Sequence, residues 1–126
     1  RGGIGFIHTI GDVLSRPLID EWFHKYIFPN AVLPTISRMA RAMEGTFCIE
    51  DVQNFGPDYD RTLMAWHENF EAAWPELKSR YDERFYRMWR FYLLSCAAGF
   101  RTRRTHLYQI VFTRIGTELP RWCRVS

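Results

Sequence analysis

The side chains best suited to chemistry in this 126-residue sequence are four histidines, three cysteines and six tyrosines, and their spacing limits what they can do. His8, His24, His67 and His106 match no metal-ligand spacing, and neither C-x-x-C nor H-E-x-x-H occurs, so no metal site is expected. Cys48, Cys96 and Cys123 are an odd set that fits neither a zinc pattern nor a disulfide framework, as expected for reduced thiols in a cytosolic protein. No G-x-S-x-G elbow is present. Gly3-Ile4-Gly5 begins a dinucleotide-binding pattern, but His stands at position 8 and no strand precedes the glycines. His8 is more informative, because it falls near the C-terminal end of an apolar run, where open α/β sheets bind their ligands. Taken alone, it fits a structural hydrogen-bonder better than an active-site group. Tyr59 follows Gly56-Pro57-Asp58, which puts it in the first turn of a helix leaving a second strand, and helix N-termini attract anions. His8 and Tyr59 can therefore converge on one small anion; the alternative for Tyr59 is simple packing against its own helix.

The elements that must position these residues follow from hydrophobic periodicity. Ile4 to Ile10, flanked by Gly2, Gly3 and Gly11, predicts a strand buried on both faces. Pro17 opens a predicted helix to Phe28 with Leu18, Trp22 and Tyr26 on one face, ended by Pro29. A second short helix runs from Pro34 through Ile36, Met39 and Met43 and closes at Gly45. Thr46 to Gln53 alternates as a strand, and Asn54 to Asp58 is a turn. From Tyr59 a helix carries Leu63, Trp66, Phe70 and Trp74 on one stripe until Pro75 breaks it, with a shorter helical piece through Tyr81. The longest helix spans Asp82 to Phe100, and His106 to Ile115 is a strand. Strand, two helices, strand, helical block, strand suggests one edge of an α/β sheet, with further strands supplied from upstream.

Composition narrows the classes. The chain is 47% hydrophobic and 17% aromatic with a net charge of +3, which excludes intrinsic disorder and fits one domain. The longest stretch without a charge, Tyr26 to Ser37, is interrupted by Pro29, Asn30 and Pro34, so a single membrane-spanning helix is excluded and any membrane contact must be peripheral. The small net charge and the lack of a recognised motif argue against nucleic acid as a partner. The long helix has an apolar surface wider than one stripe, because Tyr86, Phe91 and Leu94 face away from Phe85, Trp89, Tyr92 and Cys96. Such a surface is usually core, and a long acyl chain would also satisfy it. Arg101, Arg103 and Arg104 form a basic connector, either solvated or able to attract anionic lipid headgroups.

A run of motifs adds to this. Phe6-Ile7-His8-Thr9-Ile10-Gly11, Tyr26-Ile27-Phe28-Pro29-Asn30, Leu33-Pro34, Glu50-Asp51, Asn54-Phe55-Gly56-Pro57-Asp58-Tyr59 and Thr62-Leu63-Met64-Ala65-Trp66 are followed by Asn69-Phe70, Trp74 and Glu83-Arg84-Phe85. Met88-Trp89-Arg90-Phe91-Tyr92-Leu93, Cys96-Ala97-Ala98-Gly99-Phe100-Arg101 and Gln109-Ile110-Val111-Phe112 then continue in order. Together they resemble the C-terminal part of the cyclopropane-fatty-acyl-phospholipid synthases, relatives of the mycolic acid cyclopropane synthases, over the chain to about Arg114.

The resemblance implies an α/β fold: the C-terminal portion of a Rossmann-like S-adenosylmethionine-dependent methyltransferase sheet over residues 1–115, with a helical acyl-pocket insertion at about 57–104. The tail 116–126 is unlike the family's usual ending and receives no assignment. The implied activity adds a methylene to the cis double bond of unsaturated phospholipid acyl chains. The alkene attacks a sulfonium methyl, and a bound bicarbonate takes the proton that lets the ring close. Residue by residue, His8 and Tyr59 match the family's bicarbonate-binding His and Tyr, and Ile10 matches its backbone contact. Cys96 matches a position near the acyl pocket, with Trp89, Tyr92 and Phe100 as further pocket candidates. The cofactor's glycine loop and acidic residue, and the Cys and Glu that complete the bicarbonate site, belong to upstream segments of the family. No cofactor-binding residue is therefore assigned in this chain, and alone it is expected to be inactive. The implied setting is a bacterial-type cytoplasmic enzyme, peripheral to the inner membrane face, with oligomerisation open. The rivals are an acyl-chain methyltransferase without ring closure and a non-catalytic lipid-binding module.

Overall fold

Alternating and continuous apolar runs give three strands in the computed structural model, which describes residues 2–16 and 19–118. Ile4–Gly11 is β1, Phe47–Asn54 is β2 and His106–Arg114 is β3. The last strand lies in the middle: the order is β1-β3-β2, and β3 runs antiparallel to both neighbours. The carboxyl ends of β1 and β2 therefore share one sheet edge with the amino end of β3, where Gly11 pairs with His106 and Asn54 with Tyr108.

Between β1 and β2 come two short helices, α1 (Glu21–Tyr26) and α2 (Ile36–Met43). The helix expected from Pro17 to Phe28 is shorter than its apolar spacing suggested. Asp20 caps α1 by accepting the Trp22 N–H at 3.0 Å, while Pro17 and Leu18 lie outside the described residues. Thr35 caps α2 through the Arg38 N–H, and Gly45, at φ +75°, takes the left-handed turn after its end as the sequence predicts. Met43 from α2 packs with Tyr108 and Ile110 under one face of the sheet.

The insertion between β2 and β3 is a helical hairpin of α3 (Gly56–Leu77) and α4 (Glu83–Arg101). Pro75 does not break α3 as expected. A proline there forfeits one bond to the Glu71 carbonyl in the last turn, and Phe70, Trp74 and Leu77 hold that turn against the core. The helical piece expected through Tyr81 is instead a tight turn, in which the Arg80 and Tyr81 N–H groups both donate to the Leu77 carbonyl. Asp82 caps α4. Leu63, Phe70, Leu93, Ala97, Phe100 and Leu107 form the larger core cluster, joining the hairpin to the sheet's carboxyl end. Trp66, expected on the buried stripe, is 45% exposed. Tyr86 Oη donates to Glu71 Oε2 at 2.7 Å, and Arg101 makes a two-pronged contact with Asp60 at 2.9 and 3.0 Å, tying the two helices at separate levels.

The simple alternation expected in β2 is broken by a bulge at Glu50. Ile49 pairs with Phe112 and Asp51 with Val111, so Glu50 is the extra residue and accepts a hydrogen bond from Thr113 Oγ1. Phe47 and Ile49 consequently lie on the Phe112 face, and Asp51 and Gln53 on the opposite face.

Candidate functional site

The shared carboxyl edge gathers most of the residues singled out above. His8 pairs in register with Gln109, and Ile10 with Leu107, so both project from the sheet face that carries the hairpin core. Ile10 packs against that core, while His8, two residues earlier, is exposed. The Gln109 side-chain nitrogen lies 3.1 Å from His8 Nδ1. An amide N–H donated to Nδ1 fixes the tautomer with the proton on Nε2, which leaves that N–H as a donor toward the open face. Gln109 was not singled out as a site residue. Only the strand register reveals its contact with His8, across 101 positions of sequence.

Tyr59 is the fourth residue of α3, in the first turn as expected. Asn54 builds the turn that places it: Oδ1 accepts the Gly56 N–H at 3.1 Å and the Leu107 N–H at 3.4 Å, and Nδ2 lies 2.7 Å from His106 Nδ1. The Tyr59 ring meets Phe100 edge-on at 5.1 Å and Trp66 at 5.8 Å. Burial, and next the proximity of Cys96, push the Tyr59 hydroxyl above its ordinary range. It therefore stays protonated and able to donate at neutral pH. Among the described residues that hydroxyl has no hydrogen-bond partner.

Cys96, Tyr92 and Trp89 line the same cluster from α4. Burial pushes the Cys96 thiol up to about 11, so it behaves as a small apolar group rather than a nucleophile. Burial is also the largest influence on Tyr92, whose hydroxyl is raised further by Cys96 and Tyr59. Trp89 and Tyr92 rings are 5.1 Å apart. Phe100 is only 1% exposed: it is core that backs Tyr59. The second apolar side of α4 is partly covered by α1, because Trp22 meets Phe91 at 4.5 Å and Phe23 meets Tyr92 at 6.1 Å.

The sheet face that carries the hairpin core thus bears His8, and the core cluster packed on it includes Tyr59 with its free hydroxyl. An imidazole N–H and a phenol O–H are donors of the kind that suit a small oxyanion. The bicarbonate expected from the resemblance fits that donor set. Of the basic connector, Arg101 is committed to Asp60, and its guanidinium holds the Asp60 carboxyl below the usual range.

The family model described as "Mycolic acid cyclopropane synthetase" matches residues 1–110. The cyclopropane-fatty-acyl-phospholipid synthase of Escherichia coli (strain K12) is 51% identical over 112 residues, which are 89% of this chain and 29% of that protein. Among solved structures, the cyclopropane synthase MmaA2 from Mycobacterium tuberculosis superposes with a TM-score of 0.79 at 26% identity, covering 89% of this chain and 44% of that one. The mycolic acid cyclopropane synthase CmaA1 complexed with SAH and CTAB gives 0.78 at 25% identity, with the same coverage. The chain therefore spans less than a third of the length of the E. coli relative and under half of these structures. The α/β character expected from the strand and helix order, and the methyltransferase-type fold implied by the resemblance, are those of these neighbours. With 110 of 126 residues inside the match, the chain belongs to the mycolic acid cyclopropane synthetase family.

Proposed function

We propose that this chain supplies part of the anion site and much of the acyl pocket of an S-adenosylmethionine-dependent cyclopropane synthase acting on unsaturated phospholipid acyl chains. Residues 1–115 are its share of the catalytic domain, and the insertion at about 57–104 is the acyl-pocket block. When bound, S-adenosylmethionine supplies the methyl group and bicarbonate the base for ring closure.

The chain's own residues do the rest. His8, through Nε2–H, and Tyr59, through its hydroxyl, hold the anion, and the backbone at Ile10 adds a contact beside them. Gln109 keeps the His8 tautomer that donates. Trp89, Tyr92 and the un-ionised Cys96 wall the acyl chain, with Phe100 behind Tyr59. This half-buried aromatic wall keeps water from a cationic acyl chain, and ring faces favour positive charge next to them. The contacts to S-adenosylmethionine come from residues outside this stretch. The protein works in the cytoplasm at the inner membrane surface, where its substrates lie.

The observation that carries this proposal is the Tyr59 hydroxyl: raised by burial, free of any partner among the described residues, and packed on the same cluster as Ile10, Tyr92 and Cys96. Lipid mass spectrometry on cells expressing the full-length protein that contains this chain tests it. Phospholipid acyl chains that gain CH2, lose their alkene and show cyclopropane resonances are the expected result. A gain as a methyl branch assigns a methyltransferase without ring closure, and no gain with folded protein present leaves a lipid-binding module.

A further inference from the structure

Residues of α1 and the segment after it lie across the outer side of α4 and do not finish covering it. Trp22 meets Phe91, and Phe28 meets Tyr92 at 5.9 Å, yet Tyr26, Phe28 and Phe91 remain 38%, 44% and 51% exposed. Isolated exposed aromatics are ordinary. Here Trp22 joins Phe91 to Tyr26, whose ring lies 5.5 Å from it, and Tyr92 joins Phe28 to the same side through Phe23. Two cations border them. Lys25 Nζ is 5.1 Å from the centre of the Tyr26 ring, and Lys25 and then Arg84 both lower the Tyr26 hydroxyl from its ordinary range. Arg84 lies seven residues before Phe91 on α4, on the same helix face. Among the described residues neither Lys25 nor Arg84 has a carboxylate within ion-pair distance, whereas Arg87, Arg90 and Arg101 each have one.

An amphipathic tyrosine and two apolar rings beside cations that have no carboxylate partner among the described residues suit a bilayer interface, where rings sit at headgroup level and cations face anionic lipid. We infer that the face formed by Tyr26, Phe28 and Phe91 with Lys25 and Arg84 docks on the surface of an anionic phospholipid bilayer. The inference rests on the function proposed above. Tyr92 touches Phe28 and Phe23 on this side and joins the Tyr59 and Cys96 cluster on the other, so the docked face adjoins the pocket that must receive a bilayer-resident chain. It assigns the headgroup contact to the α1 and α4 surface rather than to the Arg101 to Arg104 connector.

Flotation of the full-length protein with phosphatidylcholine vesicles, with and without phosphatidylglycerol, tests this. Binding should require the anionic lipid and weaken with added salt. Lys25→Ala with Arg84→Ala should weaken binding about thirtyfold, about fivefold for each cation. Lys25→Arg with Arg84→Lys should keep it, and Arg103→Ala with Arg104→Ala should bind as the unaltered protein does. Undiminished vesicle binding by the folded Lys25→Ala, Arg84→Ala protein overturns the inference. So does an oligomer that these changes split while vesicle binding persists, since a second copy would then occupy the face. Acyl chains modified in detergent micelles while vesicle binding ignores Lys25 and Arg84 sink the docking face and leave the proposed function standing. Docking through these residues with no acyl chain modified under any condition does the reverse.

Discussion

Replacing Tyr59 by Phe leaves its ring against Phe100 and Trp66 and removes only a hydroxyl that has no partner among the described residues. In the full-length protein, turnover should therefore fall about a hundredfold while the melting temperature barely moves. Unchanged turnover in a rate assay removes Tyr59 from the anion site. Cys96 makes a different prediction. Its thiol is held at about 11 by burial against a usual 9.0, so at pH 8 iodoacetamide should label exposed Cys48 well before Cys96. The folded state keeps the Cys96 proton where the unfolded state has lost it, so this contribution is complete below about pH 9 and is lost as pH rises toward about 11. A denaturation series that rises across that window refutes the burial assigned to Cys96.

At the scale of elements, Gly11 ends β1 packed closely against Tyr108 and Pro34. A methyl group there would stand 2.6 Å from the Tyr108 ring and 2.8 Å from the Pro34 carbonyl oxygen. Tyr108 is buried, and the Pro34 carbonyl is held by the Asp12 N–H, so neither yields easily. Gly11→Ala should cost about 1–3 kcal/mol in chemical denaturation; a neutral result shows that the end of β1 is loose. All three strands and α4 are legible in the sequence to within a residue or so, because their apolar runs are bounded by glycine, proline and a capping Asp82. Tyr59 is placed correctly for the same local reason. What escapes is non-local. Tertiary packing carries α3 through Pro75, Thr113 on another strand helps settle the Glu50 bulge, and the Gln109 partner of His8 exists only once the strands pair. His8 and Tyr59 could be singled out in the sequence, but the Gln109 contact of His8 could not.

For the molecule as a whole, the proposed function gives His8, Ile10 and Tyr59 only part of an anion site and assigns the contacts to S-adenosylmethionine to residues outside this stretch. Titration calorimetry of the 126-residue chain with S-adenosylmethionine should show no heat of binding; a clear isotherm would relocate the cofactor site into these residues. The antiparallel insertion of β3 has one more consequence, for the order of events in synthesis. The strand that bears His8 leaves the ribosome about a hundred residues before β3, its pairing partner among the described residues. At about 5–20 residues per second it waits roughly 5–20 s with an unpaired apolar edge. The α3–α4 hairpin, built from near neighbours, can form within that delay, so the helical block precedes the pairing of β1 with β3 that brings Gln109 to His8.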